Sequence, residues 1–356
     1  MLMNVSTNRL IIGVNKKLQA ALSDISPHAI SVVVVIVLGG LVGSYFLTSS
    51  HAATPTVARE TESGTVSSAA SQINDTTASG GAAVKFSSGA SSGGGGGGTL
   101  TNNCLSNPHA CGFPDATNTG VPVGTTLTTV NGDVHTTSNG QVINAMDIHG
   151  TLWIDNSNVT VKNTKVTGGG GSSWAINVGS KTNVTGVIIQ DCAIDAAKSD
   201  QGGVTGAGFS IYRCDISNGE NAARPGGNAL IQDCYMHTFR SSSSGPHYDG
   251  VEVYSGTGSK IVHNTIVLDQ DETSTVNVQA DFGNISGTII DHNLLDGGGW
   301  MLNIRTNSGP VTGTQVTNNR LGDSAGLGYG AVNDGTTSAI TGNVRDLTGV
   351  NIDSQI

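Results

Sequence analysis

Side chains suited to acid–base chemistry are concentrated between His247 and Tyr254. Within these eight consecutive residues lie an imidazole, two carboxyl groups and two phenols. In a half-buried β-strand, Val251 and Val253 would face the core. Glu252 and Tyr254, which alternate with them, would then face outward. Such groups transfer protons at a reacting centre when their pKa lies near the working pH. The stretch therefore predicts a reactive or ligand-binding surface on the outside of a strand.

Two later segments, residues 276–279 and 302–305, repeat the same alternation of apolar and polar residues. Their polar positions lie 25 and 51 residues after Glu252, which suggests equivalent strands on successive turns of a repeat. The predicted outward rows are Glu252, Asn277 and Asn303 in one, and Tyr254, Gln279 and Arg305 in the other. Amide and hydroxyl groups suit hydroxyl-rich ligands. The predicted substrate-binding residues are therefore Tyr254, Asn277, Gln279 and Asn303.

A β-elimination from a uronic acid would need two further groups on this surface. Arg305 or a calcium ion could neutralise the sugar carboxylate, and His247 or Tyr254 could remove the neighbouring proton. The predicted catalytic residues are Asp249, His247, Glu252 and Arg305. Calcium, the one cofactor considered, prefers several oxygen ligands, and the candidate ligands are Asp249, Glu252, Asn277 and Asp281.

Structural roles compete with these chemical ones. Asp249 could instead cap a local turn, because aspartate bonds readily to nearby backbone. A second row, formed by Asp233, His263 and His292, could bind a metal or form a ladder of surface hydrogen bonds. Trp300 shares the phase of Leu302, which predicts that its ring packs inward.

The elements that position these residues repeat every 20 to 30 residues. Each repeat places Thr, Cys or Asn after an apolar residue, at Thr164, Cys192, Cys214, Cys234, Asn264, Asn293, Asn319 and Asn343. Short β-rich segments at such a period predict a solenoid of stacked β-coils, about 8–10 in number. Each coil would bury its apolar side chains against the next coil, with these key positions stacked in one line.

This pattern resembles the right-handed parallel β-helix of the pectate-lyase-like superfamily, over residues 125–356. The resemblance implies an all-β fold and a carbohydrate cleft along one sheet. The Asp249–Glu252 segment also looks like the Asn-Thr-Asp-Gly-Ile-Asp segment of polygalacturonases, which would make Asp249 the matching active-site acid. Paired aspartates in the next coil and the Gly-His-Gly and Arg-Ile-Lys segments of that family are absent.

Charge narrows the class of partner. The chain has a net charge of −10, and its part from Thr101 onward contains 11 Lys or Arg against 22 Asp or Glu. An acidic chain of this kind is a poor partner for nucleic acid. It would also repel an acidic polysaccharide unless cations or local arginines intervene.

The beginning of the chain predicts a membrane protein. Residues 29–47 form an uncharged apolar run long enough to cross a bilayer. The basic residues before it predict a cytoplasmic segment at 1–28 and an extracellular position for the remainder. A signal peptide is the alternative. Residues 48–100, rich in Ser, Thr, Ala and Gly, predict a disordered, flexible linker.

The β-helix domain is expected over residues 101–356, with an N-terminal cap and the first coils within residues 112–154. Outside the cell, Cys104 and Cys111 could form a disulfide. The combined prediction is a single-pass membrane protein whose extracellular β-helix binds, and in one version cleaves, a uronate-containing polysaccharide or cell-surface glycan. A lyase or glycoside hydrolase would do the cleaving; the alternative is a non-catalytic adhesin or spacer.

Overall fold

The computed structural model of this chain describes residues 70–74, 82–86, 103–168, 173–179, 183–333 and 337–356. The chain divides into two compact units, residues 1–96 and 97–356. The predicted cytoplasmic segment and membrane anchor lie outside the described residues. Within the described ranges, no helix combines the length and the hydropathy needed to cross a bilayer.

The first unit contains two short strands, β1 (Ala70–Asn74) and β2 (Ala82–Phe86), which pair antiparallel. Both lie inside the segment predicted to be a linker. The remaining residues of that segment are not among those described, so the role of residues 48–100 as a flexible tether stays a prediction.

The second unit is a stack of coils, each containing two or more short strands. The first three coils contain β3 (Thr128–Asn131), β4 (Val134–His135), β5 (Val142–Asn144), β6 (Met146–His149), β7 (Leu152–Ile154), β8 (Thr160–Lys162), β9 (Lys165–Thr167), β10 (Trp174–Val178) and β11 (Val187–Gln190). The next three contain β12 (Ala193–Gly206), β13 (Phe209–Tyr212), β14 (Asp215–Pro225), β15 (Leu230–Gln232), β16 (Tyr235–His237), β17 (Asp249–Val253), β18 (Gly256–Thr257) and β19 (Lys260–Val262).

The last coils contain β20 (Thr265–Leu268), β21 (Ser274–Gln279), β22 (Ile285–Ser286), β23 (Ile289–Asp291), β24 (Leu294–Gly297), β25 (Trp300–Arg305), β26 (Val311–Thr317), β27 (Arg320–Leu321), β28 (Gly328–Val332), β29 (Thr337–Thr341) and β30 (Val344–Arg345). Three short 3-10 helices, Cys104–Ser106, His109–Cys111 and Asp353–Gln355, lie before and after the coils.

Among the described residues of this unit, every strand pair is parallel, in one sheet of seventeen strands and one of eleven. Each strand pairs with its equivalents in the preceding and following coils, as β17 does with β14 and β21. The predicted parallel β-helix is therefore confirmed. Its right-handedness stays a prediction, based on the strong preference of parallel crossover connections for that hand.

The predicted line of key residues is confirmed as a buried hydrogen-bonded ladder. The Nδ2 atom of Asn293 donates to Asn319 Oδ1 at 2.9 Å and to the carbonyl of Ile261 at 2.9 Å. Asn264, Asn293, Asn319 and Asn343 are all fully buried, as are Cys192, Cys214 and Cys234. The ladder ends where Asp353 Oδ1 accepts hydrogen bonds from the backbone and side chain of Asn343.

The strands that carry the candidate site turn a corner at their beginnings. Met301 and Leu302 are consecutive, yet both belong to the hydrophobic core. The same holds two coils earlier for Gly250 and Val251: a Cβ on Gly250 would lie 2.5 Å from Ile266 Cγ2 in the core. The strict alternation of core-facing and outward-facing residues therefore fails at this point. Trp300, the residue before Met301, is partly exposed and is not part of the hydrophobic core. For this reason the prediction that Trp300 packs inward is wrong.

The segment before the first coil, predicted to act as an N-terminal cap, makes several contacts along the side of the coils. The backbone N–H of Asn103 donates to the carbonyl of Asp346, in the last coil, at 2.9 Å. Phe113 stacks on His263 with ring centroids 5.4 Å apart, and the Gly120 N–H bonds to Arg213. The segment thus lines the side of the coils. Cys104 and Cys111 are joined by a disulfide within it.

Candidate functional site

The two predicted rows are in register. Glu252 pairs with Asn277, and Asn277 with Asn303, on three successive coils. In the second row, Gln279 pairs with Arg305. The alternation of apolar and polar residues was sufficient to find this register, because a one-residue slip would turn every valine outward.

The first row faces away from the core but is not an open strip. Glu252, Asn277 and Asn303 are only 9%, 4% and 1% exposed. These groups bond to one another and to arginines: Asn303 Nδ2 donates to Asn277 Oδ1 at 3.1 Å, and Arg305 Nε donates to Asn303 Oδ1 at 3.1 Å. The row is therefore bonded to other protein groups, whereas the sequence predicted an outward surface open to a ligand.

Asp249 lies at the start of the same surface and is 3% exposed. Its Oδ1 atom accepts the backbone N–H of Ser274, in the next coil, at 3.1 Å. Asn277 Nδ2 lies 3.5 Å from its Oδ2 atom. Burial, together with the nearby charge of Glu252, raises the pKa of Asp249 well above its ordinary value. The carboxyl therefore joins two coils, and the prediction of a local turn cap is wrong.

Glu252 has a cationic partner that the sequence did not reveal. Arg224 Nε lies 3.0 Å from Glu252 Oε2, although the Nε–H is not aligned for a hydrogen bond within the described residues. Burial raises the pKa of Glu252, while the Arg224 charge works in the opposite direction. Only the coil register places Arg224 beside Glu252, 28 positions away in the chain.

Tyr254 belongs to an aromatic cluster around the same arginine. The Arg224 guanidinium carbon lies 5.0 Å from the ring centroid of Tyr254 and 5.4 Å from that of Phe282. The two rings meet edge to face at 5.5 Å. Phe282 is 69% exposed, which presents an aromatic surface to solvent.

A cleft of about 450 Å³ lies beside these rows. Its lining residues are His247, Asp271, Glu272, Thr273, Gln279, Gly299, Trp300, Asn303, Arg305 and Leu327. Four predicted site residues, His247, Gln279, Asn303 and Arg305, thus meet in one place. Asp249, Glu252 and Tyr254, which we also expected in this groove, do not line it.

The cleft has one apolar wall that the sequence did not predict. Trp300 is partly exposed there, and Leu327 is 66% exposed. Gly328, opposite Trp300 in the next coil, leaves room for the ring: a Cβ at Gly328 would lie 3.3 Å from Trp300 Cζ3. The corner before Leu302 hid this wall from pattern reasoning.

Arg305 differs from the other arginines of the described residues. Five of them have a carboxylate oxygen within 4.0 Å: Arg213, Arg224, Arg240, Arg320 and Arg345. For Arg305, the described part of the chain supplies an amide partner, Asn303, and no such carboxylate. It is therefore the guanidinium best placed to pair with an acidic ligand.

Neither predicted metal site is assembled. Among the described residues, no group of three or more His, Cys, Asp or Glu side chains is arranged to hold a metal ion. The calcium candidate Asp281 accepts hydrogen bonds from Gln279 and Asn307 instead. In the second row, His263 bonds to Asp233, whereas His292 bonds to its own neighbour Asp291. These pairings correspond to the ladder of surface hydrogen bonds.

Comparison with known proteins adds little to this geometry. No family model and no curated protein matches the chain. Among solved structures, the chain is similar to a trypsin-treated variant of QnrB1, described as a plasmid-mediated fluoroquinolone resistance protein. The match has 13% sequence identity and a TM-score of 0.33, and covers 62% of this chain and 92% of that one. A likeness this weak carries no argument about function.

Proposed function

We propose that this chain binds an acidic polysaccharide in the cleft between Trp300 and Arg305. The observation that carries the proposal is that Arg305, which has no carboxylate partner among the described residues, lines the same cleft as the partly exposed Trp300. The finer assignment to the pectate-lyase-like superfamily is part of this proposal, supported by the coil pattern and the surface that bears the cleft.

The two walls of the cleft match the two kinds of surface on a sugar ring. A pyranose has an apolar face of C–H groups, which Trp300 and Leu327 would cover. Its hydroxyl edge would meet the amide of Gln279, which lines the cleft. A uronate carboxylate would meet Arg305, whose planar fork binds carboxylates with two charge-assisted hydrogen bonds.

Two acidic residues at the rim of the cleft limit which acidic polymers can bind. Asp271 and Glu272 are exposed and line the cleft beside Arg305. They would repel a polymer that carries a carboxylate on every sugar. We therefore expect polymers that alternate a uronate with a neutral sugar to bind more tightly than pure polyuronates.

Binding without cleavage is the version that the geometry favours. Asp249 is buried and Glu252 pairs with Arg224, so neither predicted acid lines the cleft. The two acids that do line the cleft, Asp271 and Glu272, are exposed to solvent, and neither was a predicted catalytic residue. The non-catalytic surface binder is thus the better supported of the two functions that the sequence suggested.

The location completes the proposal. An apolar run at 29–47 followed by a Ser- and Gly-rich linker would display the β-helix outside the membrane. Protease added to intact cells should then cleave the linker and release the domain. Full protection of the domain in intact cells would contradict this arrangement.

Binding can be tested by calorimetry with hyaluronan oligosaccharides, which alternate glucuronate with a neutral sugar. Arg305→Gln should weaken the binding about tenfold, the effect of losing a charge-assisted contact. Carboxyl-reduced oligosaccharides should bind the wild type and Arg305→Gln equally. Lys260→Gln, which removes an exposed cation from β19, should bind hyaluronan like the wild type. Equal affinity of Arg305→Gln and wild type for hyaluronan would refute the proposal, and absorbance from unsaturated products would establish cleavage.

A further inference from the structure

We propose that Asp249 is a positioning residue: its Oδ2 atom sets the orientation of the Asn277 and Asn303 amides and so aims the Arg305 guanidinium at the cleft. The inference rests on the proposed function only for the identity of the ligand. The orientation itself follows from three successive contacts between Asp249 and Arg305, which cross three coils.

The contacts all run in one direction. Asn277 Nδ2 faces Asp249 Oδ2 at 3.5 Å, the longest of the three distances. The other end of that amide, Asn277 Oδ1, accepts from Asn303 Nδ2 at 3.1 Å. Asn303 Oδ1 in turn accepts from Arg305 Nε at 3.1 Å. Each amide thus has its NH₂ group toward Asp249 and its oxygen toward Arg305.

Asp249 can enforce this direction because its own orientation is fixed. The Ser274 N–H occupies Oδ1 and the Asn277 NH₂ group faces Oδ2, so both oxygens act as acceptors in this arrangement, as in the ionised form of the carboxyl. Oδ2 therefore accepts a hydrogen bond and cannot donate one, which requires the NH₂ end of Asn277 to face it. Asn277 must then present its oxygen to Asn303, and Asn303 must present its oxygen to Arg305.

Burial makes the reversed orientations of the Asn277 and Asn303 amides unfavourable. Asn277 and Asn303 are 4% and 1% exposed, so water does not readily replace a misdirected partner. Reversal of one amide would oppose two donors or two acceptors, which costs most where the surroundings are dry. The acceptor Asp249 Oδ2 and the donor Arg305 Nε–H thus fix the two amides from opposite ends, and a change of Asp249 creates a mismatched contact between them.

The deciding variant is Asp249→Asn, which changes one oxygen into NH₂ at constant size. The Ser274 N–H still needs an acceptor, so the new amide must keep its oxygen there and turn its NH₂ toward Asn277. Both following amides should reverse, and Asn303 would then present NH₂ to the Arg305 Nε–H. We expect the Arg305 Nε–H to lose its hydrogen bond and hyaluronan affinity to fall on the order of tenfold.

A second variant separates the orientation of the hydrogen bonds from a general loss of structure caused by the substitution. Asp249→Asn combined with Asn277→Asp moves the carboxylate one coil along. The new carboxylate accepts from both neighbours, so Asn303 again directs its oxygen at Arg305. This double variant should restore both the hydrogen bond and the affinity. Asp233→Asn, an acid-to-amide change on the other side of the coils, is the matched control and should alter neither.

Nuclear magnetic resonance of the full-length chain labelled with ¹⁵N-arginine gives the direct readout, through the chemical shift and solvent exchange of the Arg305 Nε–H. An unchanged Nε–H signal in Asp249→Asn would overturn the proposal, as would failure of the double variant to restore it. If wild type does not bind hyaluronan, the proposed function fails while the Nε–H signal still decides the positioning role.

The wild type provides an independent test should Asp249→Asn not fold. Protonation makes Oδ2 a donor and reverses the same amides, so the Arg305 Nε–H signal should titrate together with the Asp249 carboxyl carbon. Other groups facing Asp249 are Glu252 on its strand, Glu220 and Asn221 on the preceding coil, and Ser274 and Asn277 on the following one. A signal that follows the Glu252 titration instead would refute the proposal.

Discussion

Arg224 Nε lies 3.0 Å from Glu252 Oε2, and the same guanidinium stands over the rings of Tyr254 and Phe282. The side chains of the pair are 23% and 12% exposed. An arginine that balances a mostly buried carboxylate and covers two rings serves packing as much as charge. Arg224 therefore offsets part of the cost of burying the Glu252 carboxylate, although burial still raises the pKa of Glu252 above its ordinary value.

Arg224→Gln should destabilise the protein by about 2 kcal/mol, because it leaves Glu252 buried without a cation. Loss of Arg224 also raises the pKa of Glu252 further, so the stability penalty should shrink in acid, where Glu252 becomes protonated and uncharged. Urea denaturation at several pH values measures both effects. The double variant Arg224→Gln with Glu252→Gln should be more stable than Arg224→Gln near neutral pH. A penalty independent of pH would show that lost packing, and not the buried charge, is responsible.

The stability of Asp249→Asn relative to the wild type should increase as the pH rises. Burial raises the pKa of Asp249 in the folded state above its value in the unfolded chain. The stability due to this carboxyl is therefore present below the unfolded pKa and lost as the pH rises through the folded pKa. The amide does not titrate and escapes that loss. Paired urea denaturation curves across the acid and neutral range give the difference.

Asp291→Asn is a control for which the pH dependence of stability should have the opposite sign. Burial acts to raise the pKa of Asp291, but hydrogen bonds from Thr317, His292 and Asn318 outweigh it and lower the pKa. Its contribution to stability is present above the unfolded pKa and is lost as the pH falls. Asp291→Asn should thus be less stable than wild type near neutral pH and approach it in acid. The same trend in both variants would contradict these assignments.

Phe282→Ala should weaken the binding of long hyaluronan oligosaccharides while leaving short ones unaffected. Phe282 contacts Tyr254, which directly follows β17. β17 lies two coils before β25, the strand that carries Arg305, and two coils correspond to roughly 10 Å. A short ligand would fill only the cleft, whereas a longer one would reach the aromatic cluster. Calorimetry against oligosaccharides of increasing length tests this. Because Phe282 is 69% exposed, the free energy of unfolding should change little in this variant. Equal losses at every length would instead place Phe282 in the cleft.

Asn293→Ala should cost about 3 kcal/mol or more, since it leaves buried backbone and amide groups without partners. Asn293 Oδ1 accepts from the backbone and side chain of Asn264, and Nδ2 donates to Ile261 and Asn319. Asn319→Ala should cost a similar amount, because that residue makes the equivalent contacts. Thermal and urea denaturation measure the loss. A cost under about 1 kcal/mol for both would mean that water enters the ladder.

The positions of the buried ladder and the register of the two rows could be predicted from the sequence alone. Apolar alternation fixes which residues of a strand face the core, and the period fixes which residues stack. Asn264 above Asn293, and Glu252 beside Asn277, follow from those two local quantities. The position of Arg305 beside Gln279 follows in the same way.

Tertiary structure alone decided which of these groups are accessible. Met301 and Leu302 both turn inward because the strand bends there, and that bend places Trp300 in the cleft. Arg224 neutralises Glu252, and Asn303 is buried beneath Arg305, because side chains from other coils occupy the space around them. The Cys104–Cys111 segment lies along the coils through contacts with Asp346 and His263. Pairings of this kind depend on three-dimensional proximity between distant residues, which neither periodicity nor local propensity encodes.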